Sequence, residues 1–450
     1  MGVMRQSRFW WRWSPVQVLA ASFALLILLG SLLLAMPAAS RQGQLNYLDA
    51  LFTATSAVCV NGLVVVDTWT QFSFWGQLVL LSLIQIGGLG VMTLATLLVV
   101  ALGRRVSLRN RLLMQEALNQ GSLEGIIRLL KSVGLFTFFF EALGALILTI
   151  CFLPDYGWPL ALWKGAFHSV SAFCNAGFDL IGQWRNLAPY ASHWGVNLTI
   201  TTLIIVGGLG FSVIADLQRQ RREGFRWSRL TLHSKLVLTA SAVLLLGGSL
   251  FILVAEWGGG LAGLPPVYRP LAAWFQSVAT RTAGFSTIAT SSLKPATLFV
   301  LILLMFIGAS PGSTGGGVKT TTFAAVFLMV VAVIRGRDDA NVFGRRIPRE
   351  LVMRSMSIVA VSLALVIGVT IALSLLEDHP FLTLLFEATS AFATVGLSLG
   401  ITPGLSLVSK LIVIFTMYAG RVGPMTLAVA LAHTGQQAQL RYPEEKIIVG

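Results

Sequence analysis

The sequence has 450 residues, of which 55% are hydrophobic and only 11% are charged. Soluble domains carry about 25% charged residues, so this composition argues against a soluble globular protein and favours a chain embedded in lipid. The formal net charge of +14 is compatible with nucleic-acid binding, but basic residues in a protein with many membrane spans more often fix its topology.

Long apolar runs along the chain predict membrane-spanning helices, because most of them approach the roughly 20 residues that cross about 30 Å of hydrocarbon. We interpret the first run as a span and not as a signal peptide, since it exceeds the usual apolar core of about 7 to 15 residues. The runs are Val16–Met36, Phe74–Leu102, Val133–Leu153, Asn197–Ala215, Leu236–Ala255, Leu298–Gly308, Phe323–Ile334, Ile358–Leu376 and Leu407–Ala432.

Basic residues cluster in three of the predicted connections and are sparse in the others. By the positive-inside rule, these three connections and both termini face the cytoplasm. This placement accounts for the positive charge without nucleic acid. The clusters are Arg104, Arg105, Arg109, Arg111, Arg128 and Lys131; Arg219, Arg221, Arg222, Arg226, Arg229 and Lys235; and Arg335, Arg337, Arg345, Arg346, Arg349 and Arg354.

Four copies of one unit follow each other along the chain, and each ends a short apolar segment at a glycine. Copies one, two and four share an aromatic residue, then Ser-Ala, then Gly at the same offsets. In the divergent third copy, Trp274 takes the aromatic position and Val278 the serine position. The glycines recur at intervals of about 110 residues, which indicates an internal repeat. They are Gly62, Gly177, Gly284 and Gly396.

The short segments, such as Leu48–Ala57 and Phe381–Phe392, predict helices that enter the membrane without crossing it. At 1.5 Å per residue they cover about 15 Å. Irregular backbone at membrane depth is tolerated only when it is buried in protein or lines a watery cavity. The predicted fold is therefore an all-α polytopic membrane protein of eight spans, with four tandem helix, pore-helix, loop and helix repeats around a central pore. The predicted boundaries are 1–103, 104–217, 218–335 and 336–450.

These loops suit a cation. Glycine permits positive φ, so successive carbonyls can turn toward a common axis, and the short helices point their negative C-terminal ends there. Rings of carbonyl oxygens can replace the hydration shell of potassium. The candidate filter residues are Val58, Cys59, Val60, Asn61 and Gly62; Phe173, Cys174, Asn175, Ala176 and Gly177; Thr280, Arg281, Thr282, Ala283 and Gly284; and Phe392, Ala393, Thr394, Val395 and Gly396.

This fourfold unit, with a glycine in every loop, resembles the Trk/Ktr/HKT superfamily of potassium transport proteins. Because the first span begins near Val16, with no extra helix pair before it, the chain is most similar to the membrane subunit of Ktr systems. The resemblance implies potassium selectivity, since glycine in all four loops accompanies it in that superfamily. A serine in the first loop accompanies sodium permeation in some plant members.

A glycine-rich stretch interrupts the second helix of the third copy, because its glycines and proline cannot continue a stable helix. The resemblance implies an intramembrane loop that lies beneath the filter and gates it. A phosphate-binding loop is disfavoured, since Val318 separates Gly317 from Lys319. The candidate gating residues are Gly308, Ala309, Ser310, Pro311, Gly312, Ser313, Thr314, Gly315, Gly316, Gly317 and Lys319, together with Arg421.

Three charged residues of the predicted membrane region bear on function. Arg421 replaces the second glycine of a Gly-Gly-Leu-Gly motif found at Gly87–Gly90, and the resemblance implies that it lies just below the filter. Because its charge would repel a permeating cation, we hypothesise that it is an electrostatic gate; a purely salt-bridged role is the alternative. We expect Glu141 to pair with an interior donor and not to bind an ion. The resemblance implies that Arg281 turns away from the axis and braces its loop.

The resemblance also implies partners. Ktr systems pair a membrane homodimer with a cytoplasmic octameric ring of Rossmann-like domains that bind ATP, ADP or NAD. This chain has no dinucleotide fingerprint, so nucleotides would act only through that separate subunit, and no covalent cofactor is expected. The basic loops also suit anionic lipid. The expected location is the cytoplasmic membrane of a bacterium, and the transported ion is potassium, with sodium as a second transported or activating ion left open.

Two other classes remain as alternatives. A secondary transporter of another fold would also contain broken helices, but its repeats would alternate in orientation. An enzyme or metal site is the weakest alternative, because the five histidines are scattered and Cys59, Cys151 and Cys174 lack metal-ligand spacing. Sodium or proton coupling and simple, less selective cation conduction stay open.

Overall fold

The computed structural model describes residues 15–41, 43–90 and 126–423, and most of them are helical, as predicted. The first predicted boundary, at 103/104, lies outside these residues, as do the basic N-terminal segment and the chain after 423. The helices are α1 Pro15–Ala35, α2 Tyr47–Val58, α3 Thr68–Gln71, α4 Phe74–Leu89, α5 Ile126–Tyr156, α6 Leu160–Phe173, α7 Trp194–Gly208, α8 Phe211–Glu223, α9 Leu232–Glu256, α10 Arg269–Ala279, α11 Pro295–Phe306, α12 Thr320–Ile334, α13 Arg349–Leu376, α14 Phe381–Ala393 and α15 Leu407–Val422.

Short elements complete the described chain. An antiparallel hairpin pairs β1 Asn341–Val342 with β2 Arg345–Arg346. Single 3₁₀ turns lie in the connections at Pro37–Ala39, Ala188–Tyr190, Trp227–Arg229, Thr290–Ser292 and Thr402–Gly404.

Within residues 15–41, 43–90 and 126–423, four helices are long and apolar enough to cross a membrane. They are Gln17–Ala35 within α1, Ser132–Tyr156 within α5, all of α9 and all of α13. Each lies directly before the short helix of one predicted repeat, and each exposes large apolar side chains to its surroundings. Among the described residues, α7 and α8 give a fifth span if the bent pair counts as one.

The four predicted repeats pack in the same way and in cyclic order. In each, the long first helix packs on the short helix, as α1 does on α2 and α9 on α10. The helix after each glycine loop packs on the short helix of the next repeat: α4 on α6, α7 on α10, and α11 on α14. Finally, α15 packs back on α2, where Lys410 Nζ lies 2.8 Å from Asp49 Oδ1. The contacts therefore close a ring of four units.

Three of the helices after the glycine loops, α4, α7 and α15, end before the apolar runs that predict them. The run Asn197–Ala215 is not one helix, because α7 and α8 meet at 99° across Gly210, whose φ is +91°. Likewise, α4 ends before Gly90 and α15 before Gly423, with φ of +82° and +95°. A glycine in this conformation cannot continue a right-handed helix. The predicted boundary at 217/218 falls inside α8, whereas the one at 335/336 follows the end of α12.

Candidate functional site

The four predicted loops share one backbone conformation. Two residues before each glycine stands a non-glycine residue in the left-handed region, with φ between 52° and 66°, and each glycine also has positive φ. This conformation costs a residue with a Cβ roughly 1–2 kcal/mol, so its recurrence in all four loops indicates that the turn has a functional role. The left-handed residues are Val60, Asn175, Thr282 and Thr394.

The four glycines meet around one centre. A Cβ added to Gly62 would lie 2.7 Å from the oxygen of Ala176, the residue before Gly177. The same relation holds from Gly177 to the oxygen of Ala283 and from Gly284 to that of Val395, at 2.8 Å each. A Cβ at Gly396 would meet the oxygen of Asn61, which closes the circle. A side chain at any of these positions would clash, and the nearest atoms that it would meet are backbone atoms of the neighbouring loops.

Serines of the short helices fix the glycines from behind. Ser56 Oγ accepts the N–H of Gly62 at 3.1 Å, and Ser390 Oγ accepts the N–H of Gly396 at 3.1 Å. Ser171, at the same offset in the second copy, instead donates to the oxygen of Phe178. The Ser-Ala signature of the repeat was thus visible in the sequence, but its hydrogen-bonding role was not.

Asparagines of the first two loops link neighbouring loops. Asn61 Nδ2 donates to the oxygen of Ala391 in α14 at 3.0 Å. The Asn175 side chain lies 3.1 Å from Thr282 Oγ1 in the third loop. These contacts hold adjacent loops in register, so the ring is stabilised by side chains as well as by glycine packing.

The third copy is shifted by one residue, and the predicted equivalence of Trp274 with the buried phenylalanines is wrong. Phe275 is the fully buried ring, whereas Trp274 is only partly buried. In the other copies the residue before the glycine donates its N–H to the carbonyl five residues back, but Ala283 donates to Ala279, four residues back. Because this turn is one residue tighter, each position of the other short helices corresponds in α10 to a residue that lies one place nearer to its glycine.

Glycines after the loops admit close packing of backbone. A Cβ at Gly87 would overlap the oxygen of Val58, and the same clash arises between Gly207 and Phe173 and between Gly420 and Phe392. Each pair joins the helix after the loop to the first carbonyls of that loop. These glycines therefore permit close packing of the helix after the loop at all three sites.

The segment Gly308–Lys319 lies against the loops. Thr314 Oγ1 donates to the oxygen of Phe173, and the N–H of Gly316 donates to Thr394 Oγ1 at 3.0 Å. A Cβ at Gly315 would meet Thr282 Oγ1. Further backbone bonds join the segment to α7 at Gly207 and Gly208. The segment therefore contacts the second, third and fourth loops at once.

Two cationic side chains bind consecutive carbonyls of this segment. Arg421 donates to the oxygen of Thr314 and to the oxygen of Gly87 in the first repeat. Lys319 Nζ donates to the oxygen of Gly315 at 2.6 Å. Among the described residues Arg421 has no acidic partner, so the salt-bridge alternative finds no support there. The guanidinium instead connects the segment to α4 and α15.

The other two charged residues lie behind the loops. Gln85 Nε2 donates to Glu141 Oε2 at 3.2 Å, so Glu141 pairs with an interior donor as expected. Arg281 is 8% exposed and lines a cleft together with Ile204, Leu245 and Ala309. Its buried Nε has no hydrogen-bond partner among the described residues, so no hydrogen bond from this atom supports the expected bracing role.

Comparisons with known proteins agree with this arrangement. A profile of the TrkH family, described as cation transport proteins, matches residues 14–441. The Ktr system potassium uptake protein B of Bacillus subtilis is 43% identical over 444 residues, which cover 98% of each chain. The potassium/sodium uptake protein NtpJ of Enterococcus hirae is 39% identical, again over 98% of each.

A solved structure shows the same fold. The potassium transporter TrkH from Vibrio parahaemolyticus superposes with a TM-score of 0.72 over 93% of this chain and 85% of its own, at 18% identity. Since the profile spans nearly the whole sequence and close relatives share its full length, the chain belongs to the TrkH family of cation transport proteins.

Proposed function

We propose that the protein takes up potassium across the cytoplasmic membrane of a bacterium, through a selectivity filter formed by the four glycine loops. The observation that carries this proposal is the cyclic packing of Gly62, Gly177, Gly284 and Gly396, each against the carbonyl before the next glycine. Carbonyls arranged around one centre can replace the hydration shell of a dehydrated cation. The names of the Bacillus subtilis and Enterococcus hirae relatives favour potassium as that cation.

Helix dipoles support the same assignment. The four short helices, α2, α6, α10 and α14, each end at a glycine loop, and their C-terminal ends carry a partial negative charge of about −0.5 each. A cation at the shared centre is therefore favoured over an anion. Eight spans, in four repeats around a central pore, follow if the helices after the loops complete their crossings.

We assign gating to the Gly308–Lys319 segment and Arg421. The segment lies against three of the four loops, and its carbonyls are bound by Arg421 and Lys319. Two unit charges 4 Å apart repel by about 4 kcal/mol at an effective dielectric near 20, so a guanidinium on the ion path would hinder a cation. In this proposal the segment and the Arg421 charge both obstruct the ion path, and the path opens when the segment separates from Arg421.

The regulator in this proposal is a separate cytoplasmic ring of nucleotide-binding subunits acting on a homodimer of this chain. The name of the Bacillus subtilis relative, a Ktr system protein B, supports a multi-subunit system. Sodium dependence is the second candidate, since the Enterococcus hirae relative is named a potassium/sodium uptake protein. ATP, ADP or NAD would act only through the ring.

Growth rescue tests the proposal. The chain is expressed in a bacterium lacking its potassium-uptake systems, alone and with a Ktr-type regulatory subunit, at low external potassium with and without sodium. We expect rescue with the regulatory subunit, and a sodium requirement if the second candidate holds. Absence of rescue in every condition, despite membrane insertion, would overturn the proposal.

A further inference from the structure

The backbone that leaves the second glycine loop is held by two side chains of the short helix behind it. Leu180 lies three residues after Gly177. Its N–H donates to His168 Nε2 at 3.3 Å, and its oxygen accepts from Lys164 Nζ at 2.7 Å. His168 and Lys164 are four residues apart on α6, so they lie on the same face of that helix. Both polar groups of one residue are thus fixed by one helix.

Neighbouring groups fix the tautomer of His168 and surround the Lys164 ammonium. His168 Nδ1 lies 2.7 Å from the oxygen of Lys164, which can only accept, so the proton is on Nδ1 and Nε2 is free to accept. The Lys164 ammonium lies over the rings of Trp69 and Tyr156, at 4.3 and 3.7 Å from their centroids. Such cation–π contacts help to stabilise the buried ammonium.

The fourth loop has a tether of the same kind. Glu387, at the same offset from its glycine as His168, is fully buried. Its carboxylate accepts from Ser398 Oγ at 2.8 Å, two residues after Gly396, and from Thr402 Oγ1. The Glu387 side chain of α14 therefore holds the segment that leaves this loop.

The first and third loops lack this tether. Thr53 occupies the corresponding position in α2, but its hydroxyl donates to the oxygen of Asp49 within its own helix. After the one-residue shift of the third copy, the corresponding residue is Gln276, which is fully buried. Its amide has no hydrogen-bond partner among the described residues. The position equivalent to His168 is thus polar in all four copies, but its side chain contacts the segment after the loop in only two of them.

The tethered loops face each other, because the glycine contacts order the loops one, two, three and four around the centre. We propose that Lys164, His168 and Glu387 are positioning residues that fix two opposite walls of the filter and thereby set the discrimination between potassium and sodium. This inference rests on the proposed function. Fixed opposite walls resist contraction around the smaller sodium ion, and functional geometry of this kind must be held within about 0.5 Å.

The test compares tethered and untethered positions in the full-length protein with its regulatory subunit. Lys164→Met and His168→Phe remove the contacts to Leu180 while keeping similar bulk, and Glu387→Leu removes those to Ser398 and Thr402. The matched controls are Thr53→Val and Gln276→Leu, at the corresponding positions of the other loops. Initial rates of potassium and sodium uptake are measured in the transport-deficient bacterium, normalised to the amount of protein in the membrane.

We expect the potassium-to-sodium uptake ratio to fall about tenfold in the tether variants, equivalent to about 1.4 kcal/mol, and to stay unchanged in the controls. Glu387→Gln keeps one acceptor oxygen and should retain an intermediate ratio, even if Glu387→Leu does not reach the membrane. An unchanged ratio in Glu387→Gln and in both loop-two variants, with wild-type protein transporting potassium, would overturn the positioning role. Wild-type protein that carries no potassium would instead refute the proposed function.

Discussion

Replacing Gly62 by alanine separates the two reasons for a glycine at the shared centre. Gly62 and Gly43 have the same φ of +94°, so alanine is strained by roughly 1–2 kcal/mol at either position. A Cβ at Gly43 meets nothing within 4 Å, whereas at Gly62 it lies 2.7 Å from the oxygen of Ala176 and 3.2 Å from the Cα of Gly177. Gly43→Ala is therefore a control for backbone strain alone.

The additional effect of Gly62→Ala comes from contact with the second loop. Overpacking of this kind costs about 1–3 kcal/mol, and each 1.4 kcal/mol is about a factor of ten. Because Ala176 carries the carbonyl that must shift, we expect potassium uptake to fall about tenfold or more and sodium to compete better. The assay is the initial rate of potassium uptake by transport-deficient cells over a range of external concentrations.

The result that would refute this reasoning is equality of the two variants. If Gly62→Ala and Gly43→Ala reach the membrane in equal amounts and transport potassium with the same rate and ion preference, then the Ala176 carbonyl does not contact the ion. The assignment of the filter to the four glycines would then be wrong.

Three further outcomes are expected. Arg421→Ala removes the contacts to Thr314 and Gly87 and should raise uptake in the absence of the regulatory subunit; unchanged uptake kinetics would count against a gating role. Deleting 310–316 should have the same effect, and unchanged or lower flux in a correctly inserted protein would contradict it. Gly207→Ala should lower the thermal midpoint in detergent, since overlap with the Phe173 oxygen costs about 1–3 kcal/mol. The control is Gly247→Ala, because a Cβ at Gly247 meets nothing within 4 Å; this change should be neutral or slightly stabilising by about 0.4–1 kcal/mol.

The sequence predicted the repeat and its glycines because both leave local signals. Apolar runs report burial in lipid, and a glycine at a fixed offset reports a backbone conformation that other residues avoid. For the same reason Glu141 could be predicted to pair with a donor, since an unpaired charge in this environment is costly. Its actual donor, Gln85, lies in another repeat and carries no sequence signal.

The errors in the sequence interpretation also have physical causes. Trp274 was aligned with the buried phenylalanines by counting back from Gly284, but the closing turn of the third copy is one residue tighter, and Phe275 is buried instead. The run Asn197–Ala215 is apolar on both sides of Gly210, so hydropathy could not reveal the 99° bend that its positive φ produces.

By itself, the sequence determined that this chain lies in a membrane, that it contains four copies of one unit, and that each unit turns at a glycine. These properties depend on local composition and periodicity. Only the tertiary structure decided the order of the loops around their centre, the surroundings of Arg281, and which polar side chains of the short helices hold the segments that leave the loops. The order of the loops depends on contacts between residues more than 100 positions apart. The contacts of the short helices with the outgoing segments join residues only 11 to 16 positions apart, but the four equivalent positions are all polar, so their residue type does not show which of them make these contacts.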